Sequence, residues 1–427
     1  MNADGAGAVL IVGAGPAGLA AAIELSRLGV RDVLVVDRER EAGGVPRHCA
    51  HTGYGVRDLR RMMSGPAYAR YYAQAAVAAG ATVRTGTTLT GWEAAQPEGP
   101  ACPGAVLTSS AGIETVRARA VLLATGCRER PRPARLVPGT RPAGVLTTGE
   151  LQQRVYLHGE QMTGRAVIVG AEHVSFSAML TLAHAAARVV ALVTDQPRHQ
   201  SLTAFRLGAR LIWRVPVRTH AAVTEIVGRE QVAAVRVRDD RTGVTDTIPC
   251  ETVVFTGDWI PDHEQARLAG ARMDTGTRGP AVDTALRTSL AGVFAAGNLV
   301  HAAETADVAA LSGRHAARQI AAYVAGPAAR PGGALPDRES AVPVTADPPL
   351  LWVSPNAVTV PGPRPARGRF VLRSAVYLPV AHLEVGQDGR LLHRTWARLL
   401  PGRSIGLAAG WISKVDPAGG AVHVRVH

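Results

Sequence analysis

Two glycine-rich turns follow apolar runs in this chain, and only the first keeps all its glycines. It reads Val9-Leu10-Ile11-Val12-Gly13-Ala14-Gly15-Pro16-Ala17-Gly18, a strand-like segment that breaks into G-x-G-x-x-G and continues as an Ala-rich helical stretch. Gly13 permits the tight strand-to-helix turn, Gly15 lets the backbone approach a pyrophosphate, and Gly18 lets helix and strand pack closely. The first N–H groups of the new helix then face the anion. Val33-Leu34-Val35-Val36 reads as the next strand and ends in Asp37, at the spacing of a ribose-binding carboxylate, with Gly43-Gly44 following after five intervening residues. The block predicts a dinucleotide site on a βαβ unit.

At 427 residues the chain exceeds one hydrophobic core and predicts two or three domains. The net charge of +13 would fit an acidic partner, but Lys414 is the single lysine and the arginines are spread without a dense run or interleaved aromatics. This argues for a compositional bias and against nucleic-acid binding. No apolar run reaches membrane-span length, and no charged and apolar leader precedes the first strand, so a cytoplasmic chain without a membrane span is expected. Cys49, Cys102, Cys127 and Cys250 form neither C-x-x-C nor C-x4-C, and no Cys/His cluster has metal spacing. A redox disulfide and a metal centre are therefore not expected.

The block around the first turn resembles the FAD-binding opening of the two-dinucleotide flavoproteins, the pyridine nucleotide-disulfide oxidoreductase-like family that includes glutathione and thioredoxin reductases. Ala120-Val121-Leu122-Leu123-Ala124-Thr125-Gly126 is similar to that family's second FAD signature, where the chain passes between domains. Gly257-Asp258-Trp259-Ile260-Pro261 and Thr288-Ser289-Leu290-Ala291-Gly292-Val293-Phe294-Ala295-Ala296-Gly297-Asn298 resemble the returning FAD segment, which usually ends in Gly-Asp. The resemblance implies FAD as cofactor, held by Gly13, Gly15, Gly18, Asp37, Gly44, Thr125, Gly126, Gly297, Asn298 and Thr305. Asn298 replaces the family's acid, and its amide can still bond a ribityl hydroxyl. Thr305 is the expected N-cap of the following helix, whose N–H groups would face the flavin pyrimidine.

The second turn is Ala166-Val167-Ile168-Val169-Gly170-Ala171-Glu172-His173-Val174-Ser175, where NAD(P)H-binding relatives carry glycines at the positions of Glu172 and Ser175. A carboxylate there adds bulk and like-charge repulsion, and loss of glycine removes the positive-φ option. The next strand, Val189-Val190-Ala191-Leu192-Val193, still leads to Asp195. The expectation is a domain that kept its fold and lost or altered its nicotinamide site; a Glu172 that swings outward would leave NAD(P)H binding intact.

The expected fold class is α/β: a doubly wound FAD-binding domain (1–155 and 253–325), an inserted nucleotide-binding-like domain (156–252), a linker (326–350) rich in Pro, Ala and Gly, and a small β-rich C-terminal domain (351–427). Ser64-Gly65-Pro66 predicts a helix start and Gly80 its stop. In the family the segment after Gly43-Gly44 runs toward the flavin. Here it holds His48, Cys49 and His51: imidazoles suited to holding a proton while hydride moves, and a thiol whose pKa Arg47 could lower. Packing or bonding the cofactor is the plainer role for all three.

The G-G-x-P segment and the weakened second turn resemble the FAD subunits of hydrogen cyanide synthase and of opine and amine dehydrogenases. This implies oxidation of a small amine or amino-acid-type substrate by hydride transfer to flavin, with electrons passing to a second subunit, an acceptor protein, a quinone or oxygen. Two other classes stay open: an NAD(P)H-dependent reductase of an electron carrier or small molecule, and a flavin-bearing scaffold subunit of a larger complex.

Overall fold

In the computed structural model, residues 7–95, 102–201, 211, 214–326 and 341–427 are described. They form two compact units: Met1–Arg47, Thr52–Cys127 and Pro261–His427 make one, and His48–His51 with Arg128–Ile260 make the other.

The first unit opens with β1 (Gly7–Val12), α1 (Pro16–Arg27), β2 (Val33–Val36), α2 (Gly65–Ala78), β3 (Thr82–Arg84) and β4 (Ala118–Leu123). Val9, Leu10 and Ile11 are buried on both faces of β1, as the interior strand of a covered parallel sheet requires. α1 starts with Pro16, whose missing N–H costs nothing in the first turn. Ser64 is the N-cap of α2, and Gly80 takes φ +94° just beyond its end, as expected from the sequence. The hydroxyls of Tyr68 and Tyr72 both donate to Asp58 Oδ2, at 2.7 and 2.6 Å, so this helix face is packed and bonded.

The second unit contains β5 (Val145–Thr147), α3 (Thr148–His158), β6 (Arg165–Val169), α4 (His173–His184), β7 (Arg188–Val193), β8 (Val217–Arg218) and β9 (Thr252–Phe255). Its parallel sheet has the order β5-β9-β6-β7-β8. Alternate residues face two cores: Ile168, Leu192 and Val254 pack with Phe176 and Leu182, and Val167, Val193 and Phe255 pack with Val235 and Val237. The expected domain limits of 156–252 need correction. β5, within the limits expected for the first FAD segment, lies in this sheet. β9, read as the resumption of the FAD fold, pairs with β5 and β6. A buried apolar strand carries no mark of which parallel sheet it will join.

The chain returns to the first unit with β10 (Val293–Ala295) and α5 (Ala306–Ala325), giving the parallel order β10-β4-β1-β2-β3. No helix among the described residues is long and apolar enough to cross a membrane. Of the expected linker, residues 327–340 lie outside the described residues, and Val342–Ala346 is a strand, β11, because Val342 and Val344 alternate into a core. With it come β12 (Leu350–Ser354), β13 (Ala357–Val358), β14 (Arg369–Ser374), β15 (Leu378–Gln387), β16 (Arg390–Leu399), β17 (Ile405–Ala408) and β18 (Val422–Val426). They form sheets β13-β11-β18-β15-β16 and β12-β14-β17 around Leu372, Leu383, Val424 and the stacked pair Phe370 and Trp411. Asp388 and Gly389, both left-handed, make the tight turn between β15 and β16. The domain docks on the FAD segment through Asn356, whose N–H donates to Val282 O at 2.9 Å and whose Oδ1 accepts from Val282 N at 3.1 Å.

α1 and α5 pack at backbone distance: a Cβ added at Gly313 would stand 1.9 Å from Ala17 O. Gly313→Ala must push the two helices apart, so it is expected to destabilise the protein by about 1–3 kcal/mol in urea unfolding and to weaken flavin retention, since α1 carries the first turn.

Candidate functional site

The first turn is built by backbone proximity. Gly13 has φ +109°, and a Cβ there would meet Ala124 O at 2.4 Å; at Gly18 it would meet Gly13 O at 1.9 Å. Gly15 differs. Its φ of −84° suits any residue, and no protein atom lies within 4 Å of an added Cβ. Neither conformation nor a protein neighbour requires glycine there, which leaves the approach of a ligand to its backbone. Gly44, at φ +64°, abuts it, with an added Cβ 2.9 Å from Gly15 Cα, and Gly43 N donates to Ala14 O at 2.8 Å. These residues fit a dinucleotide pyrophosphate.

Asp37 braces this turn. Its Oδ2 accepts from Ala14 N at 2.6 Å and Oδ1 from Glu39 N at 2.8 Å, leaving each oxygen a further lone pair for a ribose hydroxyl. Thr125 Oγ1 donates to Asp262 O at 2.7 Å and Asp262 N donates to Gly126 O at 2.9 Å, joining the second signature to the start of the returning segment. Gly297, at φ +71°, has Ala17 Cβ 2.8 Å from an added Cβ, and its N–H donates to Ser312 Oγ at 3.1 Å. Asn298 latches the loop that follows it, since Oδ1 accepts from Glu304 N at 2.8 Å and Nδ2 donates to Glu304 O at 3.1 Å. An aspartate could make only the first of these bonds. Thr305 is the N-cap residue of α5, but its hydroxyl makes no capping bond and instead accepts from Arg57 Nη1 at 3.3 Å. Gly13, Asp37, Thr125 and Gly297 all follow the carboxyl ends of parallel strands in one sheet, where such sheets bind nucleotides.

In the second unit Glu172 turns inward. It is the N-cap of α4 in a reciprocal capping box: Ser175 Oγ donates to Glu172 Oε2 at 2.6 Å and Glu172 N donates to Ser175 Oγ at 3.1 Å. Thr256 Oγ1 adds a bond to Oε2 at 3.1 Å. The carboxylate fills the glycine cradle itself, since a Cβ at Gly170 would lie 2.6 Å from Oε2 and one at Gly257 2.6 Å from Oε1. Burial pushes its pKa up, against the bonds from Ser175 and Thr256. Gln200 N donates to Ala171 O at 2.9 Å and His173 Nδ1 meets Ser201 Oγ, so residues 200–201 pack on the same turn. Asp195 stays exposed. These residues do not fit the pyrophosphate of NAD(P)H.

His48, Cys49 and His51 pack with this second unit. His48 is buried. Cys49 Sγ donates to Gln152 Oε1 at 3.1 Å, while Arg47 pairs with Glu39 at 3.2 Å and Glu41 at 3.6 Å. Glu129, which the sequence did not single out, is buried and accepts from Gly149 N at 2.8 Å and Gly257 N at 3.3 Å. Burial pushes its carboxyl up to about 7. In the first unit His301 was also missed: its Nδ1 is shielded without a hydrogen-bond partner, its ring lies 5.3 Å from Trp352, and burial lowers its pKa. The available signal was its place just after Gly297-Asn298.

Gly15→Ala should give a colourless protein whose stability stays within about 0.5 kcal/mol of wild-type apoprotein, because an added Cβ has no protein atom within 4 Å. For Glu129, the folded pKa of about 7 exceeds the ordinary 4.5, so the native state binds more protons between these values and loses stability as pH rises through them. Glu129→Gln should make the fall in unfolding free energy between pH 4.5 and 7 shallower in denaturant titrations.

The profile of the family described as pyridine nucleotide-disulphide oxidoreductase matches residues 7–313. An opine oxidase subunit of Agrobacterium tumefaciens (strain Ach5) is 28% identical over 334 residues, 72% of this chain and 64% of that protein. Hydrogen cyanide synthase subunit HcnB of Pseudomonas protegens is 32% identical over 151 residues, 34% of this chain and 29% of that one. The chain thus spans less than two thirds of the length of the curated relatives it matches. Among solved structures, T. acidophilum thioredoxin reductase superimposes with a TM-score of 0.63 at 23% identity, covering 75% of this chain and 100% of that one, a likeness of fold. FAD is the cofactor of the family, with NAD(P)H as its nicotinamide partner. With its glycine turn, its returning segment and its inserted second nucleotide fold, the chain belongs to the pyridine nucleotide-disulphide oxidoreductase family of FAD flavoproteins.

Proposed function

We propose that this FAD-dependent oxidoreductase takes its electrons from a small amine or amino-acid-type substrate and not from NAD(P)H. The observation that carries this reading is the buried Glu172 carboxylate, bonded by Ser175 and Thr256 in the turn that would receive the nicotinamide dinucleotide. Disulfide reduction is disfavoured by the cysteines: none is paired in sequence, and burial pushes the thiols of Cys102 and Cys250 up to about 12, away from the reactive thiolate. The similarity to one subunit of an opine oxidase and to one of a hydrogen cyanide synthase supports an amine-type substrate and partnership with a second subunit.

FAD supplies the two-electron acceptor. Gly13, Gly15, Gly18 and Gly44 would admit its pyrophosphate, Asp37 the adenosine ribose, and the segments at Thr125-Gly126 and Gly297-Asn298 the flavin side. His48 and His51 are assigned the proton that an amine must lose, a role worth about 10²- to 10⁴-fold in rate.

The test is anaerobic stopped-flow reduction of the yellow protein by NADH, by NADPH and by a panel of amines and amino acids. An amine should bleach the flavin and micromolar NADH should not. Glu172→Gly combined with Ser175→Gly should improve nicotinamide binding. With the reducing amine in hand, His48→Gln and His51→Gln should slow bleaching and alter its pH profile, whereas Cys49→Ser should not. Rapid bleaching of wild type by NADH would overturn the reading and favour a nicotinamide-dependent reductase.

A further inference from the structure

We propose that His301 donates a hydrogen bond from Nε2 to the pyrimidine edge of the bound flavin, and that the C-terminal β domain fixes it there through Trp352 and Arg373. The inference rests on FAD as the cofactor of the family and does not depend on which molecule supplies the electrons.

His301 lies in the loop between Gly297-Asn298, which ends the returning FAD segment, and the first turn of α5. Both ends of this loop are expected to face the flavin, which brings a side chain between them within reach of it. The two ring nitrogens differ. Nδ1 is shielded and has no hydrogen-bond partner, whereas Nε2 is not shielded and makes no hydrogen bond among the described residues. The residue as a whole is half-buried. A buried N–H with no acceptor forfeits its hydration, so the neutral ring keeps its proton on Nε2. Burial, aided by the Arg373 charge, holds the pKa down against Glu304, and the ring stays neutral at pH 7. His301 is therefore an open donor to which the described residues offer no acceptor.

The β domain closes on the same loop. Trp352 on β12 and Arg373 on β14 are direct partners across antiparallel strands. The Trp352 ring lies 5.3 Å from the His301 ring with the planes 33° apart, and the Arg373 guanidinium carbon lies 5.4 Å from the Trp352 ring centre. Arg373 Nη2 also donates to Ala302 O and Ala303 O at 3.3 Å, the two carbonyls that follow His301. The FAD segment packs here at backbone distance: an added Cβ at Gly276 would lie 2.9 Å from Trp352 Cβ, and one at Gly279 2.8 Å from Val300 O. Holding the ring, the loop carbonyls and the aromatic neighbour together is what a hydrogen bond to a single ligand atom requires. The carbonyl oxygens of the flavin pyrimidine are such acceptors, and their edge gains negative charge on two-electron reduction. A hydrogen bond to an anion is about twice as strong as one to a neutral group, so His301 favours the reduced cofactor.

The experiment is reductive titration of the FAD-loaded protein with xanthine and xanthine oxidase against reference dyes, with the visible spectrum and FAD content recorded for each variant. His301→Phe keeps a ring against Trp352 and removes the donor. It should weaken binding of reduced relative to oxidised flavin by about tenfold, a fall of about 30 mV in the midpoint potential of a two-electron couple. His301→Gln keeps an N–H and should restore most of that shift. Trp352→Ala should lower the potential in the same direction although it removes no donor, and Trp352→Phe should not. A histidine that only packs would lower Tm in His301→Phe and leave the potential and spectrum at wild-type values. That result, equal shifts in His301→Phe and His301→Gln, or a wild-type potential in Trp352→Ala would each overturn the proposal. Loss of FAD from His301→Phe with retention in His301→Gln would support it, and loss from both would overturn it. Xanthine oxidase supplies the electrons throughout, so the amine or NADH reading of the natural donor is decided separately.

Discussion

Backbone contact around Ala17 holds the flavin half of this protein together. An added Cβ at Gly313 would strike Ala17 O, one at Gly297 would strike Ala17 Cβ, and one at Gly18 would strike Gly13 O. α1, α5 and the loop after β10 therefore meet with nothing bulkier than alanine methyls between them. The rigidity that results is what lets the turn present bare N–H groups to an anion, because a helix end can be aimed only as well as its helix is held. Asp37 completes the arrangement by bonding Ala14 N and Glu39 N, which fixes the turn to the end of β2.

The same fold element occurs twice and is used in opposite ways. In the first turn the critical glycine has open space beside it, and in the second a carboxylate from the chain fills the cradle. Glu172 supplies α4 with the side-chain capping bonds that a helix N-terminus favours. The internal carboxyl group, bonded by Ser175 and Thr256, occupies the turn in the second unit where the glycine pattern is lost. Its raised pKa reflects the cost of that burial, which three polar neighbours, Ser175, Thr256 and Arg135, work against.

The C-terminal β domain has its own core, yet its polar groups reach the flavin unit at defined points. Asn356 bonds Val282, Arg373 Nη2 donates to Ala302 O and Ala303 O at 3.3 Å, and Ser404 engages Glu304. Arg373 and Ser404 anchor the connection from the last FAD strand to α5, which Asn298 latches from within. The departure from Gly-Asp thus belongs to a locally rebuilt loop, in which an amide bonds both the N–H and the carbonyl of Glu304.

The sequence by itself determined the parts that depend on local backbone chemistry. Gly13, Gly15 and Gly18 announced a dinucleotide turn, the apolar runs announced parallel strands, and the spacing of the four cysteines excluded a C-x-x-C dithiol. Tertiary structure decided what depends on partners far away along the chain. Glu172 turns inward because Thr256, 84 residues later, completes its bonding. β9 joins the second sheet because β5 and β6 offer it edges, which no apolar run can specify. Arg57 meets Thr305 across 248 residues. Glycine patterns act through φ and the absence of Cβ, which are properties of the residue itself; charge and hydrogen-bond roles arise from neighbours, and those exist only once the chain has packed.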